Sequence, residues 1–161
     1  MVSASNLEGN YAWLKRSIVF ATLLITLLEG WPWLAVEKDV FLDPYSPYSQ
    51  LFVVVNTGYS PVTHLAATCR ADFDWPLGGY MHNASAYMGE FADYLEHEGR
   101  VTIPCFRFIV GRFNVKPGAK LSIEVTYAFP YANIPMLRRS QTFKFSAIVS
   151  PSGTVQWQYL G

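Results

Sequence analysis

The stretch LSIEVTYAF at residues 121–129 decides the fold class, because apolar and polar side chains alternate along most of its length. A period of two places every second side chain on one face of a strand, which is typical of a sheet with one buried face. Pro117 and Gly118 stand just before this stretch and mark a tight turn. We therefore predict a β-strand that begins directly after the turn.

The same alternation continues on both sides of this strand. Residues 142–149 and 155–159 alternate and are separated by the turn-forming sequence SPSG, which predicts a C-terminal hairpin. Toward the N-terminus, the Val-rich segment 50–55 ends in Asn-Thr-Gly and the apolar pattern resumes at 61–69, which predicts two antiparallel strands. We expect another strand over 100–105, with residues 106–113 continuing it or beginning a further one.

These segments give about seven short strands in about 120 residues, a number and spacing that resemble an immunoglobulin-like or fibronectin-like antiparallel β-sandwich. The resemblance is to the architecture alone. Immunoglobulin domains carry a Trp between two cysteines and a Tyr two residues before the second cysteine. Here Trp75 follows Cys69 by only six residues, and Ile103 stands two residues before Cys105. No Pro/Gly-rich linker divides residues 37–161, so we expect one domain.

One segment, at about residues 70–99, breaks the strand pattern. It begins with turn-forming residues and continues with apolar side chains at helical spacing, which predicts a short amphipathic helix from about Ser85 to Glu98 that ends at Gly99. The apolar positions are Tyr87, Met88, Phe91, Tyr94 and Leu95. Long structured insertions often carry function, so this helical insertion is the first candidate for an interaction surface.

The N-terminal region predicts a single membrane-spanning helix over residues 17–36, which contain one ionisable side chain, Glu29. A helix of about 20 residues spans about 30 Å, the thickness of the hydrocarbon core. Lys15 and Arg16 precede the run, which assigns residues 1–16 to the cytoplasm and residues 37–161 to the outside of the inner membrane, as a periplasmic or other extracytoplasmic domain. Trp31 and Trp33 would lie at the outer interface.

Two other interpretations of this region stay open. A cleaved signal peptide would use residues 18–28 as its apolar core, but small residues at the cleavage positions are missing. A buried helix of a soluble protein is disfavoured because the run has no polar face. Glu29 either reaches water at the outer end of the span or contacts a partner helix.

The amino-acid composition excludes or disfavours several classes of protein. The chain has 161 residues, 51% of them hydrophobic and 16% aromatic, which excludes intrinsic disorder. Its 12 basic and 12 acidic side chains balance, so we expect no nucleic-acid partner. The charge is nevertheless uneven, with an acidic segment at 70–98 and a basic one at 100–144. These segments either neutralise each other or guide docking.

Chemical motifs are few. In an oxidising compartment Cys69 and Cys105 are candidates for a disulfide, whereas in the cytoplasm they would be free thiols. The three histidines have no metal-ligand spacing, and no nucleotide-binding or catalytic motif is present. We therefore expect no metal, no cofactor and no enzymatic activity.

The sequence favours a non-enzymatic, single-pass accessory or assembly subunit of a larger membrane complex, with the lipid bilayer and other integral membrane proteins as partners. The alternative is a membrane-tethered module that binds a glycan or lipid through aromatic side chains of the insertion, although a small-molecule ligand is not the partner we expect first. The candidate interaction residues are Glu29, Trp31, Trp33, Trp75, Tyr87, Phe91, Tyr94, Arg107, Arg112, Arg138 and Arg139.

Overall fold

The computed structural model describes residues 13–22, 32–41, 50–74, 79–103, 105–106, 115–129 and 138–161. These residues include eight β-strands, which are β1 (Leu34–Phe41), β2 (Gln50–Asn56), β3 (Val62–Asp74), β4 (Tyr80–Leu95), β5 (Arg100–Ile103), β6 (Lys120–Ala128), β7 (Arg139–Val149) and β8 (Val155–Tyr159).

The strands form two sheets. One has three strands in the order β1-β2-β5, and the other has five in the order β4-β3-β6-β7-β8. Every pair is antiparallel. The prediction of a mainly antiparallel β protein is therefore confirmed, and the two sheets are consistent with a sandwich.

One hydrophobic core contains side chains from both sheets. Phe52 of β2 and Phe145 of β7 pack with 5.1 Å between their ring centroids. Phe106 stacks on Trp157 of β8 at 6.5 Å, and the Trp157 side chain is 0% exposed. Aromatic pairs at these separations contribute about 0.5 to 1.5 kcal/mol beyond the area they bury. The alternating inward side chains of β6 are all buried: Leu121, Ile123, Val125 and Tyr127.

A disulfide joins the two sheets. Cys69 lies on β3 of the five-stranded sheet, and Cys105 follows the end of β5 in the three-stranded sheet. Their Cα atoms are 5.5 Å apart, and the two sulfur atoms are bonded. The bond closes a loop with a sequence separation of 36 residues. In the chain-entropy model such a cross-link stabilises the folded state by about 3 to 4 kcal/mol.

The prediction of a helix over residues 85–98 is wrong, because residues 85–95 belong to β4 and residues 96–98 to the turn after it. Strand β4 pairs with β3 from Val62 opposite Leu95 to Asp74 opposite Tyr80. The cause of the error is three irregularities in the register of this pair. At one of them Phe91 is an extra residue on β4, because Ala66 pairs with Glu90 and Leu65 pairs with Ala92. Each extra residue shifts the alternation by one position, so apolar side chains recur at intervals that imitate a helix. The predicted helical insertion is an extension of the five-stranded sheet.

The N-terminal region also differs from its prediction. Residues 13–22 are helical, but Leu34, Ala35 and Val36, which the sequence assigned to the membrane span, lie in β1 and pair with β2. Leu34 is buried in the core, and Pro32 disfavours a continuous helix up to this point. In the part of the chain that the structure describes, no helix is long and apolar enough to cross a membrane. Glu29 and Trp31 lie outside the described residues.

Candidate functional site

The chain enters β1 at one end of the two sheets, which we call the entry end. Here the carbonyl oxygen of Trp33 accepts hydrogen bonds from the backbone N–H groups of Thr57 and Gly58, at 2.8 and 3.2 Å. The hydroxyl of Thr57 also donates to this oxygen, at 3.1 Å. These three bonds attach the N-terminal segment firmly to the connection between β2 and β3.

A fully buried amide organises the loops of the entry end. The Asn56 side-chain nitrogen donates to the carbonyl oxygens of Ser60 and Leu95, and its oxygen accepts from the N–H of Gly58. Buried polar groups are stable only when they are hydrogen-bonded, and Asn56 meets this requirement. Beside it, the rings of Tyr59 and His97 stack at 5.1 Å.

The structure brings several predicted interaction residues together at the entry end. Trp33 is 58% exposed, and Tyr94 is exposed opposite Thr63. Arg139 pairs with Tyr127 near the end of β6, and Arg138 is the exposed residue before it. Tyr59, which the sequence analysis did not select, is 72% exposed at this end.

Other predicted interaction residues do not form a surface. Tyr87 and Phe91 are half-buried and pack against the core, and the Tyr87 hydroxyl donates to the carbonyl oxygen of Glu90 at 3.1 Å. These two rings therefore contribute to the core more than to an aromatic cleft. The remaining predicted residues, Trp75, Arg107 and Arg112, lie outside the described residues.

Among the strands that the structure describes, β4 pairs only with β3 and is therefore an edge strand of the five-stranded sheet. It is 16 residues long. It contains no Pro, Lys or Arg, the residues with which proteins usually block an exposed strand edge. Met88 is 69% exposed on it, and Glu90 and Asp93 are exposed as well. The strand therefore presents a long, weakly acidic backbone edge.

A groove with apolar and charged side chains in its lining lies near the opposite end of the five-stranded sheet, which we call the distal end. The groove has a volume of about 600 Å³, within the range of ligand sites. Its polar lining includes Arg70 and Asp72 of β3, Tyr80 and His82 of β4, Lys120 of β6 and Lys144 of β7.

Asp72 connects three of the strands that line this groove. Its Oδ1 accepts from the N–H of Asn83 at 3.0 Å, and its Oδ2 accepts from the N–H of Lys120 at 2.8 Å. Burial raises the pKa of Asp72, but these hydrogen bonds, together with the nearby His82, outweigh burial and lower the pKa below its ordinary value. Asp72 is therefore ionised at neutral pH and joins three strands.

Tyr80 remains a hydrogen-bond donor in the groove. Burial raises its pKa, and the negative charge of Asp72, the hydrogen bond between the Tyr80 hydroxyl and the Asp72 carboxylate, and the negative charge of Asp74 raise it further. The Lys116 Nζ lies 4.7 Å from the centroid of the Tyr80 ring and 3.6 Å from Asp74 Oδ1. This ion pair joins the basic and acidic segments of the sequence at one point.

Sequence reasoning did not select the basic side chains of the groove. Lys120 and Lys144 occupy outward positions of predicted strands, and this alternation was the available signal. Their proximity depends on the pairing of β6 with β7, which the sequence does not specify. Among the described residues, no group of three or more His, Cys, Asp or Glu side chains could hold a metal ion.

Comparisons with protein-family models, with curated proteins and with solved structures find no match to this chain.

Proposed function

We propose that the chain is a non-enzymatic, membrane-tethered subunit that docks onto other membrane proteins through an immunoglobulin-like β-sandwich. The strand orders support this finer description of the fold. Strands β1, β2 and β5 correspond to A, B and E of an immunoglobulin domain, and β3, β6 and β7 correspond to C, F and G. Strand β4 differs, because it pairs with β3 rather than extending the sheet of β5.

The observation that carries the docking proposal is the outer edge of β4, which no other described strand covers. An extended segment of a partner can add to such an edge through backbone hydrogen bonds, while side-chain contacts provide specificity. The three register irregularities twist β4 and limit indiscriminate pairing with other strands. An edge that is long but irregular suits one matching partner.

The charge of this edge favours a basic partner segment. Glu90 and Asp93 are exposed on β4, and Glu96 and Glu98 are exposed in the turn after it. Complementary charge increases the association rate and selects against acidic partners.

The tether is supported by the N-terminal sequence and by the helix at residues 13–22. Ile18, Val19 and Phe20 are exposed on this helix. At the entry end, exposed Trp33 and Tyr59 are residue types that favour the interface between lipid and water. The orientation that follows places the entry end toward the inner membrane and the distal end away from it.

The test is affinity capture of the full chain, carrying a C-terminal tag, from native membranes in mild detergent. The variant Met88→Lys with Glu90→Gln adds one positive charge to the β4 edge and removes one negative charge, a net change of two units. The control Gln156→Lys with Gln158→Lys adds two positive charges to β8, the opposite edge of the same sheet. We expect integral membrane proteins to co-purify stoichiometrically with the wild type and the control but not with the β4 variant. A native mass of one or two chains, or equal recovery with both variants, would refute the proposal.

Ligand binding is the second candidate function, and the groove of about 600 Å³ at the distal end favours it. The aromatic residues selected from the sequence support it less, because Tyr87 and Phe91 pack against the core.

A further inference from the structure

The groove at the distal end contains three cationic side chains, and the register of the strands determines how they are arranged. Arg70 of β3 pairs with Ser122 of β6, and Ser122 pairs with Lys144 of β7. Adjacent strands lie about 4.8 Å apart, so the Cα atoms of Arg70 and Lys144 are about 10 Å apart, on either side of Ser122. Lys120 pairs with Ser146, which makes it the diagonal neighbour of Lys144 on the same face. Three cationic side chains therefore surround one hydroxyl.

Few carboxylates of the described residues lie close to these cations. Among the described residues, neither the Lys120 nor the Lys144 ammonium lies within 4.0 Å of a carboxylate. Arg70 has one weak ion pair, with 3.9 Å between its Nη1 and Oε2 of Glu124. That carboxylate also accepts a hydrogen bond from the Ser140 hydroxyl at 2.7 Å. The two lysines, which repel each other across the strands, are thus available to an external anion.

The one carboxylate of the groove, Asp72, offsets only part of the charge of its three cationic side chains. Both carboxylate oxygens of Asp72 accept backbone hydrogen bonds, from Asn83 and from Lys120. The His82 imidazole is close to it, with 3.4 Å between Nδ1 and Oδ1. Asp72 therefore holds the wall of the groove together. Besides Asp72, the polar side chains that line the groove are Arg70, Tyr80, His82, Asn83, Lys120, Ser122 and Lys144. Arg70, Lys120 and Lys144 are donors only, and the Tyr80 hydroxyl is hydrogen-bonded to Asp72.

We propose that this groove binds a sugar that carries a phosphate or sulfate group. A tetrahedral oxyanion accepts several hydrogen bonds at once, which matches a cluster of donors on three strands. The groove volume exceeds that of an inorganic anion and leaves space for a sugar ring beside Tyr80 and His82, whose rings meet edge to face at 4.4 Å. This inference develops the second candidate function and does not depend on docking at β4.

The position of the groove argues against the headgroups of the tethering membrane as its ligand. Residues 63 and 72 of β3 are separated by nine steps, and a strand rises about 3.3 Å per residue, so the groove lies about 30 Å from the entry end. In the proposed orientation, headgroups of the same bilayer are out of reach.

The test measures binding to the full chain in zwitterionic nanodiscs by titration calorimetry at low and high salt. The probes are glucose 6-phosphate, glucose 6-sulfate, glucose and inorganic phosphate, and separately added vesicles that contain phosphatidylglycerol. We expect saturable binding of a charged sugar that weakens with salt, weaker binding of inorganic phosphate and none of glucose. Binding of vesicles without binding of the charged sugars would overturn the proposal, as would equal affinity for inorganic phosphate or binding of no probe.

Charge-matched variants locate the site. Lys120→Gln with Lys144→Gln should weaken binding of the charged sugar by about tenfold, since each of these exposed lysines supplies one salt-screened ion pair. Lys38→Gln with Arg138→Gln removes the same charge from β1 and from the entry end, and it should change affinity less than twofold. Equal effects of the two variants on affinity would overturn the assignment of the binding site to this groove. Backbone amide chemical shifts around Ser122 verify that the first variant is folded.

The docking variant at Met88 and Glu90 should bind the sugar normally, so failure of one proposal is distinguishable from failure of the other.

Discussion

Replacing Asp72 by Asn tests the reasoning about how the β3–β4 extension is attached to the rest of the sheet. The carboxylate accepts one backbone hydrogen bond from β4 and one from the start of β6. A hydrogen bond to a charged group contributes about 1.5 to 3 kcal/mol to stability. Asn retains one acceptor oxygen, but its NH₂ group would face the other backbone N–H. We therefore expect Asp72→Asn to lower the free energy of unfolding by about 2 to 3 kcal/mol.

The pH dependence gives this prediction a second, independent signature. Because the pKa of Asp72 is lowered in the folded state, its stabilisation is complete above the unfolded value of 3.8 and is lost as pH falls through the folded-state pKa. The stability difference between wild type and Asp72→Asn should be constant from about pH 5 upward and should shrink below about pH 4.

The assay is urea unfolding of the full chain in detergent, with the disulfide intact, from pH 3 to pH 8. Asp93→Asn is the control, because Asp93 is exposed on β4, and it should change stability by less than about 0.5 kcal/mol. If Asp72→Asn were as stable as the wild type at pH 7, or if the difference were as large at pH 3 as at pH 7, the assigned role of Asp72 would be wrong.

Three further substitutions test other parts of the fold by the same unfolding assay. Cys69→Ser with Cys105→Ser should cost about 3 to 4 kcal/mol, and a reductant should destabilise the wild type by the same amount but leave the variant unchanged. Trp157→Ala should cost about 3 to 5 kcal/mol, since it removes a fully buried indole between the sheets, and a loss under 1 kcal/mol would contradict this packing. Asn56→Ala should cost about 2 to 4 kcal/mol by leaving loop groups of the entry end unpaired, and no change in the urea midpoint would contradict that role.

The local alternation of apolar and polar residues was sufficient to predict the strands that have one buried face and regular pairing. Strand β6 and the β7–β8 hairpin lie where the alternation predicted them. The pattern was insufficient at β1, because the apolar residues 34–36 fit a membrane-spanning helix as well as a strand. It also failed at β4, where extra residues interrupt the alternation.

The candidate site was less predictable than the fold for a physical reason. Exposure of Trp33, Tyr94 and Arg138 follows from residue type and local position. The cluster of Lys120 and Lys144, by contrast, depends on a register between strands that are separated by a long connection. Side-chain alternation gives the face of a strand but does not give its neighbour, so only the tertiary structure reveals the cluster.

The attachment of Trp33 at the entry end has a mechanical consequence. A force applied to the chain before β1 acts along the axis of that strand, and β2 runs antiparallel beside it from Leu34 opposite Asn56 to Lys38 opposite Phe52. Such a load shears the ladder, so the hydrogen bonds of the pair share the tension instead of breaking one after another. The bonds to the Trp33 carbonyl oxygen take up the load first. If its N-terminal segment is held in a membrane while a partner pulls on the sheets, the domain can transmit tension without unravelling from its first strand.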